Sequence, residues 1–426
     1  MKNYISTIRR SFPIFLSSIG LMSIGITDTI FCSRIDSGAL IGQSLASFIY
    51  ITEFMAFTAF IFPIANIASL APLDKLKILK SGLLLILLFS FVVVALNFLS
   101  AQFISSNYLQ QPSRLFFLSY FRIISFALVT GMIFMYSRMT STLIDTTPPV
   151  LRSMLVAFLA NLICDYTVLS ICTNKIIAME FISWSTVIIF LFLAVNLNYK
   201  LPYELTVQNY FKSGTVSVPI VKKILYTAIP SSLITLCEFS FFCAMGFFII
   251  NNVYEYSGIY RVIIQVEEIL ILPVYAILTI ISIDLSKNIC NPDKISEVKR
   301  TVNLLILTLL IVALFLYFAY PLIIKLYNLD NYLELITTPI IIALFISESL
   351  MLMSIMPFRS IAKYNTVLFI ILMINWGLTV PFAFIPGLQS LNGYLSLIIL
   401  NNTLVYITAS LIWKLKYQNE TATWIS

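Results

Sequence analysis

The sequence predicts an all-α polytopic membrane protein, with twelve transmembrane helices in two pseudo-symmetric six-helix bundles. Three observations predict it. The chain has 426 residues, of which 60% are hydrophobic and only 11% charged, at a mean hydropathy of +0.97; soluble domains carry about 25% charged residues. Its apolar residues gather into runs of roughly 20, the length that crosses a bilayer as a helix. Its basic residues fall almost entirely on alternate connections between those runs.

Twelve spans are expected, at 13–33, 41–67, 81–99, 115–144, 148–170, 176–197, 224–250, 257–283, 302–324, 335–358, 364–385 and 391–413. Span one opens at Pro13 and carries Asp28. Span two holds Glu53 and Pro63. Span five holds Asn161 and Asp165, and span seven Pro230 and Glu238. Span eight carries Arg261, Gln265, Glu267, Glu268 and Pro273. Span ten holds Glu348 and Pro357, and span eleven Asn375 and Pro381. Prolines within lipid-embedded helices are read as kinks, because neighbouring helices can re-satisfy the freed carbonyls.

The net charge of +7 is explained by sidedness and not by nucleic-acid binding. With the N-terminus inside, all but Arg34, Arg114, Arg122, Lys175, Arg261 and Lys325 of the 26 Lys and Arg residues lie on inner segments. This places both termini in the cytoplasm and requires an even number of spans. No small-residue cleavage site follows the first apolar run, so it is expected to stay as a span. The six cysteines form no CxxC pair and are read as small packing residues. There is no histidine, which excludes the usual zinc sites and every His-based catalytic dyad. No GxxxxGK[ST] loop and no DDxxD-like acid cluster occurs, so neither ATP hydrolysis nor diphosphate chemistry is expected. The chain is read as not an enzyme.

The long polar connection of residues 201–223 is expected to link an N-terminal lobe (1–200) to a C-terminal lobe (224–426). The halves echo each other. Pro13 and Pro230 open spans one and seven, Ser37-Gly38 and Ser257-Gly258 precede spans two and eight, and Arg138 and Arg359 end spans four and ten. Asn161 and Asn375 occupy spans five and eleven. Nearly constant offsets close to half the chain point to an internal duplication. Repeats of six spans are related by an axis along the membrane normal, a plan common in secondary transporters, whose sites lie near the midplane.

Four carboxylates within the spans, Asp28, Asp165, Glu238 and Glu348, are the main candidates for function. A charge at membrane depth costs roughly 2.5 kcal/mol or more, and is kept where a proton, metal ion or ligand meets it. Asn161 and Asp165 are four residues apart and share one helix face. An amide beside a buried acid can hydrogen-bond it in either protonation state. Glu348, between Ser347 and Ser349, supplies hard oxygen ligands, and with Glu238 is a candidate sodium site. The structural alternative for each acid is a pairing with Arg or an amide that only ties helices together, with Arg261 or Arg359 as partner for the glutamates. Glu53, Arg261, Gln265 and Glu268 are candidates for lining a substrate cavity. Adjacent residues on a helix point about 100° apart, so at most one of Glu267 and Glu268 faces such a cavity.

On these residues the chain resembles the MATE (multidrug and toxic compound extrusion) transporters, within the superfamily that includes oligosaccharide flippases. Pro13 followed by Thr27-Asp28-Thr29 is similar to the family's first helix. The stretch Arg138 to Pro148 is similar to its inner loop between spans four and five, and Asn161-x-x-x-Asp165 to the Asn and Asp of its span five. Pro230 with Glu238, Glu348 with Arg359, and Trp376 with Pro381 are similar to its spans seven, ten and eleven. The resemblance covers nearly the whole chain. It implies an N-lobe cation cluster of Asp28, Asn161 and Asp165, as in proton-linked members. It also implies a C-lobe contribution from Glu238 and Glu348, as in sodium-linked ones. Asp284-Leu285-Ser286-Lys287-Asn288 stands where the family has a glycine-containing loop, which marks a divergent member.

The resemblance implies a secondary active antiporter of the cytoplasmic (inner) membrane. It would export amphipathic or cationic organic compounds in exchange for H+ or Na+ by rocking-type alternating access. The alternative is a dedicated natural-product exporter or lipid-linked oligosaccharide flippase. The expected partners are a small organic substrate, the coupling cation and the lipid bilayer, without nucleic acid. The chain is expected to act as a monomer with no cofactor besides the coupling ion.

Overall fold

The computed structural model describes residues 2–70, 74–143, 148–201, 206, 217–288, 292–327, 329, 338–360 and 363–417. Among these the regular structure is helical throughout. The helices are α1 (Lys2–Ile35), α2 (Ser37–Leu70), α3 (Lys75–Tyr108), α4 (Ser113–Leu143), α5 (Pro148–Ile171) and α6 (Lys175–Lys200). They continue as α7 (Val218–Asn252), α8 (Ser257–Asn288), α9 (Pro292–Leu326), α10 (Thr338–Ser360), α11 (Tyr364–Phe382) and α12 (Leu391–Ile412). Each holds a segment long and apolar enough to cross a membrane, and the chain is a multi-pass membrane protein. Every expected span falls on one of them. The connection at 201–223 lies largely outside the described residues, as do residues 144–147 of the loop before α5.

Helix α3 illustrates why these segments need lipid. One stripe, Ile86, Ser90, Val94, Asn97, Ala101 and Ser105, is buried. The opposite stripe is apolar and open, with Leu99 79% and Phe103 67% exposed. A soluble helix keeps its polar residues on the open face; here Ser90, Asn97 and Ser105 lie on the buried stripe and the open face is apolar. Helix α9 carries the same open face at Leu310, Leu314, Phe318 and Leu322.

Contacts divide the chain into two units, Gly20–Ile250 and Met1–Ile19 with Asn251–Ser426. In the first, α4 packs on α2, α3 and α6, and α5 packs on α6. Helix α7 joins this unit, and the Ser232 hydroxyl donates to the Ala56 carbonyl of α2 at 2.8 Å. In the second, α8 packs on α9 and α10, and α10 packs on α12. Ser37 and Ser257, half of one expected repeat, each begin a helix.

The α2–α4 crossing is set by Gly42. A Cβ there would lie 2.7 Å from the Ser113 carbonyl oxygen and 2.8 Å from the Phe117 nitrogen. Both are backbone atoms that cannot swing aside. Gly42→Ala is expected to lower stability by about 1–3 kcal/mol, the usual cost of overpacking, read as a lower thermal midpoint in detergent.

Pro63, Pro230, Pro273 and Pro357 lie inside continuous helices, as expected of kinks. Span eleven is less regular than a single α-helix. Residues Leu372–Thr379 form a π-helical stretch, in which the Val380 N–H donates to the Asn375 carbonyl five residues back. Pro381 has no N–H to continue an α-helical ladder, so the chain changes register just before it.

The turn from α1 to α2 is tied to α6. Lys175 Nζ donates to Asp36 Oδ2 at 2.7 Å, and the Gly38 N–H donates to Asp36 Oδ1 at 2.9 Å. The Lys175 hydrogen bond holds the Asp36 carboxyl below its ordinary range; partial desolvation opposes it, and the Gly38 N–H adds to it. A lowered native value stabilises the fold above the unfolded value, about 3.9, and that stabilisation is lost as pH falls through the native value. Lys175→Met is therefore expected to cost less than about 1 kcal/mol at neutral pH, because the pair is exposed. In thermal unfolding at stepped pH, the difference should shrink as pH falls below the unfolded value of about 3.9 and through the lower native one.

Candidate functional site

In the unit Gly20–Ile250, four helices bring buried polar side chains to one place. Asp28 comes from α1, Tyr120 from α4, Asn161 and Asp165 from α5, and Ser185 and Thr186 from α6. Asp28 is 1% exposed, and Asn161 and Asp165 are fully buried. Asp28 accepts from the Tyr120 hydroxyl at 2.7 Å and from the Thr186 hydroxyl at 2.9 Å. Asp165 accepts from the Ser185 hydroxyl at 2.6 Å. Asn161, on the same face as Asp165, bridges the two acids: its Nδ2 lies 3.0 Å from Asp165 Oδ2 and 3.3 Å from Asp28 Oδ1. On α2, the Gln43 amide donates to Thr29 and Ser47 and carries the network beyond the acids.

The donor count in this cluster is informative. Asn161 Nδ2 has two hydrogens. It lies within reach of four acceptors, the two carboxylates, Thr27 Oγ1 at 2.6 Å and the Ile24 carbonyl at 3.4 Å. Among the described residues no ion pair involves Asp28 or Asp165. Two carboxyl groups at membrane depth thus meet only neutral donors, and the amide between them faces more acceptors than it has hydrogens. Such a group holds a proton or a small cation far more cheaply than two bare charges.

Sequence reasoning named Asp28, Asn161 and Asp165, and the structure brings all three together. It did not name Tyr120, Ser185 or Thr186. Their only sequence signal is a hydroxyl within an apolar run, and many side chains of these spans share it.

Glu53 lies elsewhere in the same unit. Asn97 of α3 donates to it at 2.8 Å and also reaches Ser125 of α4 at 3.3 Å, so Glu53 is held by an amide and is not part of the Asp28 cluster. Glu238 is half-buried on α7. Glu348 belongs to the other unit. Among the described residues, no group of three or more acidic or cysteine side chains is placed to hold a metal.

In the second unit α8 splits its charges between two faces. Arg261 is 2% exposed and pairs with Glu268, seven residues on, at 3.4 Å. The Tyr327 hydroxyl donates to Gln265 at 3.0 Å, on the face that carries Arg261 and Glu268. Glu267 is 1% exposed and turns to α10, where its carboxyl meets that of Glu348. The residue that meets Glu348 is thus Glu267, which sequence reasoning left out of the site in favour of Glu268.

No family model matches the chain, and no curated protein matches it. Solved structures do match. An inward-facing multidrug resistance MATE family transporter of the MOP superfamily superposes at a TM-score of 0.77 with 13% identity, over 97% of this chain and 98% of that one. A MOP superfamily transporter from Pyrococcus furiosus, described as having a binding pocket of reverse polarity that suggests a different function, superposes at 0.75 with 14% identity, over 100% and 97%. A MATE protein in a bent conformation superposes at 0.71 with 13% identity, over 99% and 96%. Over essentially its whole length, the chain has the fold of the MATE transporters of the MOP superfamily.

Proposed function

We propose that this chain is a secondary active antiporter of the cytoplasmic membrane, with both termini cytoplasmic. It exports an amphipathic or cationic organic compound in exchange for a proton or sodium ion. The observation that carries this reading is the Asp28–Asn161–Asp165 cluster, two buried carboxyls joined by one amide that faces more acceptors than it has hydrogens, with no cationic side chain paired to either acid among the described residues. Binding a cation there neutralises a charge that is costly in an apolar setting, so the cation favours the state that shields the cluster. Alternating access is of the rocking type, with the lobes taken as 1–200 and 224–426 from the sequence repeat. The fold supports a transporter, and the chain acts as a monomer without a cofactor and not as an enzyme.

The test is efflux of a fluorescent lipophilic cation from vesicles holding the purified protein. A proton gradient and a sodium gradient are imposed separately. The reading expects one gradient to drive efflux, and Asp165→Asn to abolish that response. A second reading, a dedicated natural-product exporter or lipid-linked oligosaccharide flippase, draws support from the Pyrococcus furiosus neighbour, whose pocket polarity suggests a different function. Folded protein that moves no lipophilic cation under either gradient would favour it.

A further inference from the structure

The internal duplication reaches into the site itself. Asn161 and Asp165 of α5 have counterparts four residues apart in α11, Asn375 and Thr379, each 214 positions later. Ser185 and Thr186 of α6 have counterparts in α12, Asn401 and Asn402, each 216 positions later. The hydrogen bonding is repeated with its polarity changed. Ser185 donates to Asp165 at 2.6 Å, and Thr379 donates to Asn401 Oδ1 at 2.9 Å. Asn402 then extends the copy toward α10, with its amide 3.5 Å from Ser347. Asn375, Thr379, Asn401 and Asn402 are each 3% exposed or less.

The copy has kept buried oxygens and lost its carboxylate, because threonine stands where Asp165 stands in the first half. One of its oxygens has no protein donor. Asn375 Oδ1 is fully buried and accepts no hydrogen bond among the described residues. A buried amide oxygen left unsatisfied keeps its full desolvation penalty, and native structures keep few of them. It lies in the π-helical stretch of α11, a distortion often found at functional sites. Amide and hydroxyl oxygens are hard ligands that suit a small monovalent cation, and transporters use neutral oxygens beside irregular helix turns for this purpose.

We propose that the second unit holds a monovalent cation site of neutral oxygens, centred on Asn375 Oδ1 and Thr379 Oγ1, with Na+ as its ligand. The site is separate from the Asp28 cluster and cannot change its own charge. Where the first copy can exchange a proton for a cation, this one can only bind or release a metal ion.

The test is saturable binding of radiolabelled Na+ to purified protein, with choline replacing Na+ in the controls. It is run in an Asp28→Asn/Asp165→Asn background, so that the first cluster contributes nothing. The expected result is one saturable site in that background. Adding Asn375→Leu or Thr379→Val weakens it roughly tenfold or more, and Thr379→Ser, which keeps the hydroxyl, preserves it. Valine matches threonine in shape and lacks only the hydroxyl, while serine keeps the hydroxyl and lacks only the methyl, so the comparison stands even if Asn375→Leu folds poorly. No saturable Na+ binding in the background, or binding indifferent to Asn375→Leu and Thr379→Val, overturns the proposal. The readout requires no transport, so its failure is distinct from failure of the antiport reading, which rests on efflux and Asp165.

Discussion

Asp165→Asn is expected to collapse gradient-driven export while leaving the protein folded. One proton exchanged per cycle across about one pH unit sustains roughly a tenfold substrate ratio, and a tenfold sodium gradient does the same. An asparagine cannot take up the proton and is a poorer cation ligand, so the ratio should fall to about one. The side chain is isosteric, and its oxygen can still accept from Ser185, which now donates at 2.6 Å. Removing one of two facing acids also removes a repulsion, so the thermal midpoint should hold or rise. A purely structural role makes the opposite forecast, with lower stability and transport that scales with the folded protein. Measuring vesicle efflux and thermal unfolding on the same preparation separates the two. Wild-type coupling in a well-folded Asp165→Asn protein would sink the mechanism.

The second large effect is expected at Arg261. Its guanidinium is 2% exposed and faces Glu268 at 3.4 Å. Arg261→Met leaves Glu268 buried without its counter-charge, which typically costs about 3–5 kcal/mol. Glu268→Gln alone leaves the arginine in the same predicament. The double variant, Arg261→Met with Glu268→Gln, removes both charges and should recover more than half of the loss. This double-mutant cycle, read by thermal unfolding in detergent, isolates the pair from the rest of the α8 network. A neutral Arg261→Met would mean that the two charges are not dependent on each other. The pair ties α8 to itself, one face away from Glu267 and Glu348, so this loss should appear in stability before it appears in coupling.

Hydropathy was enough to find all twelve helices, because lipid imposes one rule on every segment that crosses it: roughly twenty residues with apolar side chains outward and each backbone group bonded within the helix. The rule is local, so it can be read along a single chain. The i, i+4 pairing of Asn161 with Asp165 was legible for the same reason, since a helix fixes which of its own residues share a face. The partners of that pair were not. Tyr120, Ser185 and Thr186 reach Asp28 and Asp165 from α4 and α6, and nothing in a hydroxyl within an apolar run tells which way its helix is turned. The same limit explains α8. Sequence shows that Glu267 and Glu268 point apart, but only packing against α10 decides that Glu267 meets Glu348 and Glu268 turns back to Arg261. Length, number and polarity of the helices are therefore properties of the sequence alone. Helix rotation and register belong to the tertiary structure, because they are set by side-chain packing between segments far apart in the chain.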